Sequence, residues 1–158
     1  MKTLIIILIT PLVLWTLMRG VIVPLLSSKS AAAGLHENGQ LGACPADSQN
    51  CVCSLDTDSH AVEPLAFTNA GQAQWQSLLD AMSSLPGWKL ISKDGSYAHF
   101  ESRTPLMNYV DDIEVHWQSD AEKVQVRSKS RLGVKDLGAN KKRVEMLRVL
   151  AANTLKGS

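Results

Sequence analysis

At 158 residues, with 45% hydrophobic and 20% charged residues, the chain is long enough for one modest core plus an appendage and too apolar to be globally disordered. Its net charge of +1 hides a strong asymmetry. Residues 1–29 carry +3, residues 30–122 carry −10 and residues 123–158 carry +8. This pattern marks either a partner-binding end or a basic end that is neutralised by the acidic middle on folding, and the second is favoured. No nucleic-acid partner is expected, because the basic strand pairs with acids on its neighbour, as set out below.

Thr3 to Met18 is a run of sixteen uncharged, mostly apolar residues behind Lys2. Arg19 and Gly20 interrupt it, and Val21 to Leu26 resume it. Sixteen residues of helix span only about 24 Å, short of a hydrocarbon core of roughly 30 Å, but the second piece makes up the length. Residues 1–26 therefore read as a transmembrane anchor or a signal sequence. Ala31-Ala32-Ala33 offers small residues for cleavage, while the long, interrupted apolar run favours an uncleaved anchor. Lys2 places the N-terminus in the cytoplasm, so the remainder is expected outside it, in the periplasm or exported.

Residues 27–43 are small, polar and without period, and read as a linker to a globular α+β domain over 44–158. The domain opens on Cys44, Cys51 and Cys53. In an exported chain the default is a Cys44–Cys51 disulfide with Cys53 left over. A metal site from the three cysteines and His60, lipidation at Cys44, and thiol redox chemistry through Cys51 and Cys53 are the alternatives; none has the usual spacing or context. No metal and no cofactor is expected.

Trp75, Leu78, Leu79 and Met82 recur at helical spacing, predicting a helix from Ala70 or Gly71 to Ser84 that stops at Pro86-Gly87. Trp88 to Arg103 reads as a hairpin turning at Asp94-Gly95, which pairs Ser92 with Tyr97 and Leu90 with His99. His99, beside Tyr97 and Glu101, is an ordinary strand histidine or a general acid–base. A second hairpin follows. Val110 to Gln118 and Val124 to Arg131 both alternate, and a turn at Asp120-Ala121 sets Trp117 opposite Val124, Val115 opposite Val126, Ile113 opposite Ser128 and Asp111 opposite Ser130. On the other face Glu114 then meets Arg127 and Asp112 meets Lys129, which makes the basic stripe a solvated, acid-paired sheet face. Asp111 and Asp112 point to opposite faces and cannot share a proton.

From Asp136 the chain forms a C-terminal helix with Val144, Leu147, Ala151 and Leu155 as its buried stripe. Arg131, Lys135, Asn140 and Arg143 near its start make a small anion site, or Asp136 or Asn140 simply caps it. The fold expected is α+β: an N-terminal membrane segment, a helix, a four-stranded antiparallel sheet of two hairpins, and a long C-terminal helix packed on the sheet.

The stretches CPADSQNCVCS, HAVEPL, YAHFESRT, YVDDIEVHW and VRSKSRLGVKDLGANKKRVEMLR resemble the domain-of-unknown-function family 1499 from about Cys44 to Leu150. The resemblance carries over onto Cys44, Pro45, Asn50, Cys51, Asp111, Asp112, Arg127, Ser128, Ser130, Arg131, Gly133, Asp136, Gly138, Asn140 and Arg143. Asp47-Ser48-Gln49 departs from it where a proline would precede the Asn, and Cys53 stands where Ser is usual. The family implies no activity; its bacterial members often begin with a membrane segment or signal.

The functional expectation is a membrane-tethered cell-envelope domain that binds or supports a partner, such as an anionic small molecule or an envelope protein. Its polar site lies at the strand-to-helix junction: Asp111, Arg127, Ser128, Ser130, Arg131, Asp136, Asn140 and Arg143. The alternative is a hydrolase or transferase for an anionic envelope substrate, requiring Asp111, Ser130 and Arg131 to converge. No nucleophile elbow or metal motif supports that chemistry.

Overall fold

The computed structural model describes the backbone of residues 2–156 and the side chains of 9–156. The apolar N-terminus is helical throughout, as α1 (Lys2–Leu17), a π-helical turn (Met18–Ile22) and α2 (Val23–Leu26). The widened turn precedes Pro24, which has no N–H to offer Gly20 and whose ring crowds that carbonyl. Within it the Arg19 guanidinium lies 5.5 Å from the centre of the Trp15 ring. Ile9–Leu26 is apolar enough to cross a membrane, and only 6% of it is buried against the protein.

The domain is α+β, with elements β1 (Cys51–Cys53), β2 (Leu65–Ala66), α3 (Gln72–Ser83), β3 (Trp88–Asp94), β4 (Tyr97–Arg103), β5 (Val110–Gln118), β6 (Lys123–Ser130) and α4 (Ala139–Lys156). The sheet has six antiparallel strands, not four. The order is β1-β6-β5-β4-β3, and β2 pairs with β6 beside β1. Strands of three and two residues are too short to show an alternation, yet they pair the backbone of β6 that two hairpins alone would leave open.

The β5–β6 register matches the sequence reading at every rung, including Asp111↔Ser130, Ile113↔Ser128, Glu114↔Arg127 and Trp117↔Val124. The first hairpin does not. Asp94 pairs with Tyr97 and Ser92 with His99, so the turn is Gly95-Ser96, and an irregularity between Leu90 and Ser92 restores Leu90 to Phe100. Gly95 takes the left-handed φ of 53° that such a turn requires.

α3 and α4 cover one face of the sheet. Trp75, Leu78, Leu79 and Met82 from α3 and Val144, Leu147 and Ala151 from α4 pack on Ala98, Phe100, Ile113, Val115, Val124 and Val126. Trp117 stacks on Trp75 at 6.0 Å and meets Phe67 edge-on at 6.3 Å. Residues 27–43 have no helix or strand; they run across the opposite face of the sheet, held by its charged side chains.

Candidate functional site

Alternation along β5 and β6 divides the eight junction residues between the two faces of the sheet. On the helix side lie Asp111, Ser128, Ser130, Asp136, Asn140 and Arg143. On the opposite side lie Arg127 and Arg131. One site does not contain them all.

Asn140 is the centre of the helix-side cluster and is fully buried. Its Nδ2 donates to the Asn50 carbonyl (2.9 Å) and to Ser130 Oγ (3.1 Å). Its Oδ1 accepts from Ser128 Oγ (2.7 Å) and Arg143 Nη1 (2.6 Å). Both amide hydrogens and both lone pairs are thus used. Arg143 also donates to Ser128 Oγ and forms an ion pair with Asp111. Asn50 completes the link: its Nδ2 donates to the carbonyls of Gly133 (2.6 Å) and Ser130, and its Oδ1 accepts from Lys129 Nζ (3.1 Å). Asp136 caps the helix, its carboxylate accepting the N–H groups of Gly138 (3.0 Å) and Asn140 (2.8 Å). Cys44 and Cys51 form a disulfide, which pins the loop that presents Asn50. That bond removes Cys44 from lipidation and two ligands from a three-cysteine metal set. Cys53 is a buried thiol whose pKa burial pushes up.

The opposite face is not solvated. Asp112 and Glu114 are fully buried, and Arg127 nearly so. Asp112 accepts from Arg131 Nε (2.8 Å) and Nη2 (2.7 Å), from His99 Nε2 (2.7 Å), and from Ser30 Oγ and the Ala31 N–H (2.7 Å). Glu114 accepts from Arg127 Nη1 (2.7 Å), Tyr97 Oη (2.9 Å) and the N–H groups of Ala33 (2.9 Å) and Gly34 (2.6 Å). The strap returns acceptors: the Ala31 carbonyl takes Arg127 and the Ser27 carbonyl takes Arg131, which also pairs with Glu101 at 2.6 Å. Burial works to raise the Asp112 carboxyl, but the hydrogen bonds from Arg131, His99 and Ala31 outweigh it and hold the group well below the usual carboxylate range. Burial and the Glu114 charge together push the Tyr97 hydroxyl up.

Lys129, opposite Asp112 in register, bonds Ser48 and Asn50 instead, while the Asp112 pair goes to Arg131. His99 belongs to this network, its Nε2 hydrogen-bonded to Asp112 on the buried face. The proposed anion set of Arg131, Lys135, Asn140 and Arg143 is divided: Arg131 is held by acids on one face, Arg143 by Asp111 on the other. Sequence reasoning missed the strap, and it missed Asn50 except through the family motif. Two buried acids on one strand face, with fewer cations than hydrogen-bond sites, are the signal that backbone donors had to come from elsewhere.

Elsewhere, Asp56, Asp58 and His60 bring possible ligand atoms within 4.8 Å of one another. The His60 ring already spans two acceptors, Asp58 Oδ1 (2.8 Å) and the Ser48 carbonyl (2.5 Å). A ring between two acceptors is satisfied only as imidazolium, and both partners raise its pKa.

Beside the junction a cleft of about 640 Å³ separates the end of the apolar helix from the domain. Met18, Val23 and Leu26 form one wall; Thr104, Tyr109, Leu132 and Leu137 form much of the other, with Asp111, Ser130, Lys135 and Asp136 among its polar lining.

A helix-backed antiparallel sheet joined to an N-terminal apolar helix is thus the class of domain the structure defines. The chain belongs to the family described as protein of unknown function (DUF1499), whose model matches residues 40–150. No curated protein matches it.

Proposed function

We propose that this protein is a membrane-tethered cell-envelope domain that works as a binding or interaction module, with the cleft beside the 127–143 junction as its site. The observation that carries this reading is the contrast between the cleft and its surroundings. Asp111, Ser128, Ser130, Asn140 and Arg143 are committed to one another, while Leu137 at the cleft is 91% exposed and neighbouring Val134 75% exposed. Exposed apolar groups beside a cleft mark a surface waiting for a partner.

The uncleaved tether is supported by the strap. Cutting at Ala31–Ala33 would detach the carbonyls of Ser27 and Ala31 from Arg131 and Arg127, and the Ala31 N–H from Asp112. The disulfide favours an oxidising compartment. Against catalysis, Asp111 and Ser130 both line the cleft, but Arg131 does not join them and Arg143 already neutralises Asp111.

The test is a chain carrying an N-terminal tag and a C-terminal export-dependent reporter. Reporter activity with the tag retained on the membrane-bound species supports the tether. A reporter active only in the cytoplasm, or loss of the tag from the mature chain, would refute it.

A further inference from the structure

Leu137 combines two unfavourable states. It holds a left-handed backbone, with φ of 53°, and its side chain is 91% exposed. A leucine there gains nothing from burial and suffers the steric penalty that Gly138 beside it avoids. Tyr109, which lines the same cleft, is exposed to 41%, and Leu106 and Val134, outside its lining, to 67% and 75%. The opposite wall of the same cleft is Met18, Val23 and Leu26, and the last two belong, with Met18, to the Ile9–Leu26 stretch that is apolar enough to cross a membrane. The cleft is therefore walled on one side by the apolar helix itself, whose Leu26 lines it and whose Val21 and Leu25 are exposed on the same helix. With that helix seated in a bilayer, as the tether reading has it, this side of the cleft would face lipid.

We propose that the cleft takes one acyl chain of a membrane phospholipid, with Leu137 closing over the chain and Lys135 facing the phosphate. Resting on the tether reading above, this names its ligand. The volume lies within the range of roughly 300–1,000 Å³ typical of small-molecule sites. Of the charged lining groups, Asp111 pairs with Arg143, and the Asp136 carboxylate is taken up by the N–H groups of Gly138 and Asn140, which leaves Lys135 as the cationic lining group without an ion pair among the described residues. An anionic head group is thereby favoured.

The experiment uses the full chain in vesicles of equal parts phosphatidylcholine and phosphatidylglycerol, the lipids brominated along the acyl chain. An environment-sensitive fluorophore is placed in turn at Leu137→Cys, at Leu14→Cys in the apolar helix, and at Lys93→Cys on the exposed edge strand; the buried Cys53 and the disulfide leave each label alone. Quenching at positions 137 and 14 but not 93 is expected. Native mass spectrometry of the released chain should then retain a single phospholipid, preferentially phosphatidylglycerol, and Leu137→Asp should lose it while keeping the circular dichroism of the parent. Quenching at 14 without 137 overturns the lipid site and leaves the tether intact; quenching at neither removes both. A blue shift at 137 without quenching assigns the rim to a protein partner, and quenching at 93, or quenching at 137 with no retained lipid, reduces the contact to bilayer adsorption. Each of those outcomes overturns the proposal.

Discussion

The two faces of the β5–β6 hairpin carry comparable polar clusters, built by alternate residues of the same two strands, but they are closed by different means. The helix-side cluster is closed by α4, whose first turn follows β6 after a short junction and brings Asn140 and Arg143 with it. The opposite cluster is closed by backbone groups of residues 27–34, some eighty residues away in the chain and directly behind the apolar helix. The first is closed mainly by the helix that follows the hairpin, with Asn50 as its long-range member, and the second by a distant segment throughout. The apolar helix is thereby coupled to buried charges through the strap, so its loss should be felt inside the domain.

The sharpest way to break this contrast is Glu114→Ala, which strands Arg127 in a nearly sealed site with only the Ala31 carbonyl. Removing one member of a buried pair costs about 3–5 kcal/mol. Denaturant unfolding should register that loss, and hydrogen exchange should rise in residues 31–34 before it rises in α4. If α4 opens first, the two clusters are not independent. On the helix side, Asn140→Ala leaves the Asn50 carbonyl and the Ser128 and Ser130 hydroxyls short of partners and should cost about 2–3 kcal/mol. Here the exchange increase should centre on the junction and the start of α4, leaving the strap protected.

Leu137→Gly has the opposite sign. Relief of the left-handed backbone should stabilise the detergent-solubilised chain by about 1 kcal/mol. A destabilisation would mean that Leu137 packs on something after all.

The smallest effect is a change in pH profile. Asp112 is held below its usual range, so its contribution is present above about pH 4 and fades as the pH falls below that. His60 is shifted up, so its contribution is complete below about pH 6.5 and is lost as the pH rises through its folded value. Unfolding midpoints measured against pH should decline on both limbs. His60→Gln should flatten the alkaline limb alone, and an unchanged alkaline limb would show that His60 is not protonated between Asp58 and Ser48.

Much of this hairpin was legible in the residues themselves. Period-two alternation put Ile113, Val115 and Trp117 on one face, and matching them to Val124, Val126 and Ser128 left a single satisfactory register. The stripe of α4 and the Cys44–Cys51 loop were legible for the same reason, since each is a short-range pattern of side-chain types. The first hairpin was misplaced by one residue because Asp94-Gly95 and Gly95-Ser96 are both acceptable turns, and β3, an exposed edge strand, has no buried pattern to choose between them.

Burial and the choice of partner were settled in the folded chain. Lys129 lies opposite Asp112 in register, yet Asn50 and Ser48 draw its ammonium away and Arg131 offers the carboxylate two parallel donors. Residues 27–43 look like a linker because they act through N–H and C=O groups, which every residue possesses and no composition reveals. Their small side chains fit the role: a Cβ added at Gly42 would sit 2.4 Å from that of Ala33. Short-range pattern specified an apolar helix, a charged hairpin and a C-terminal amphipathic helix. The folded chain decided that the charges would be sealed, and that the seal would be the segment following the apolar helix, because backbone donors and acceptors carry no sequence signature.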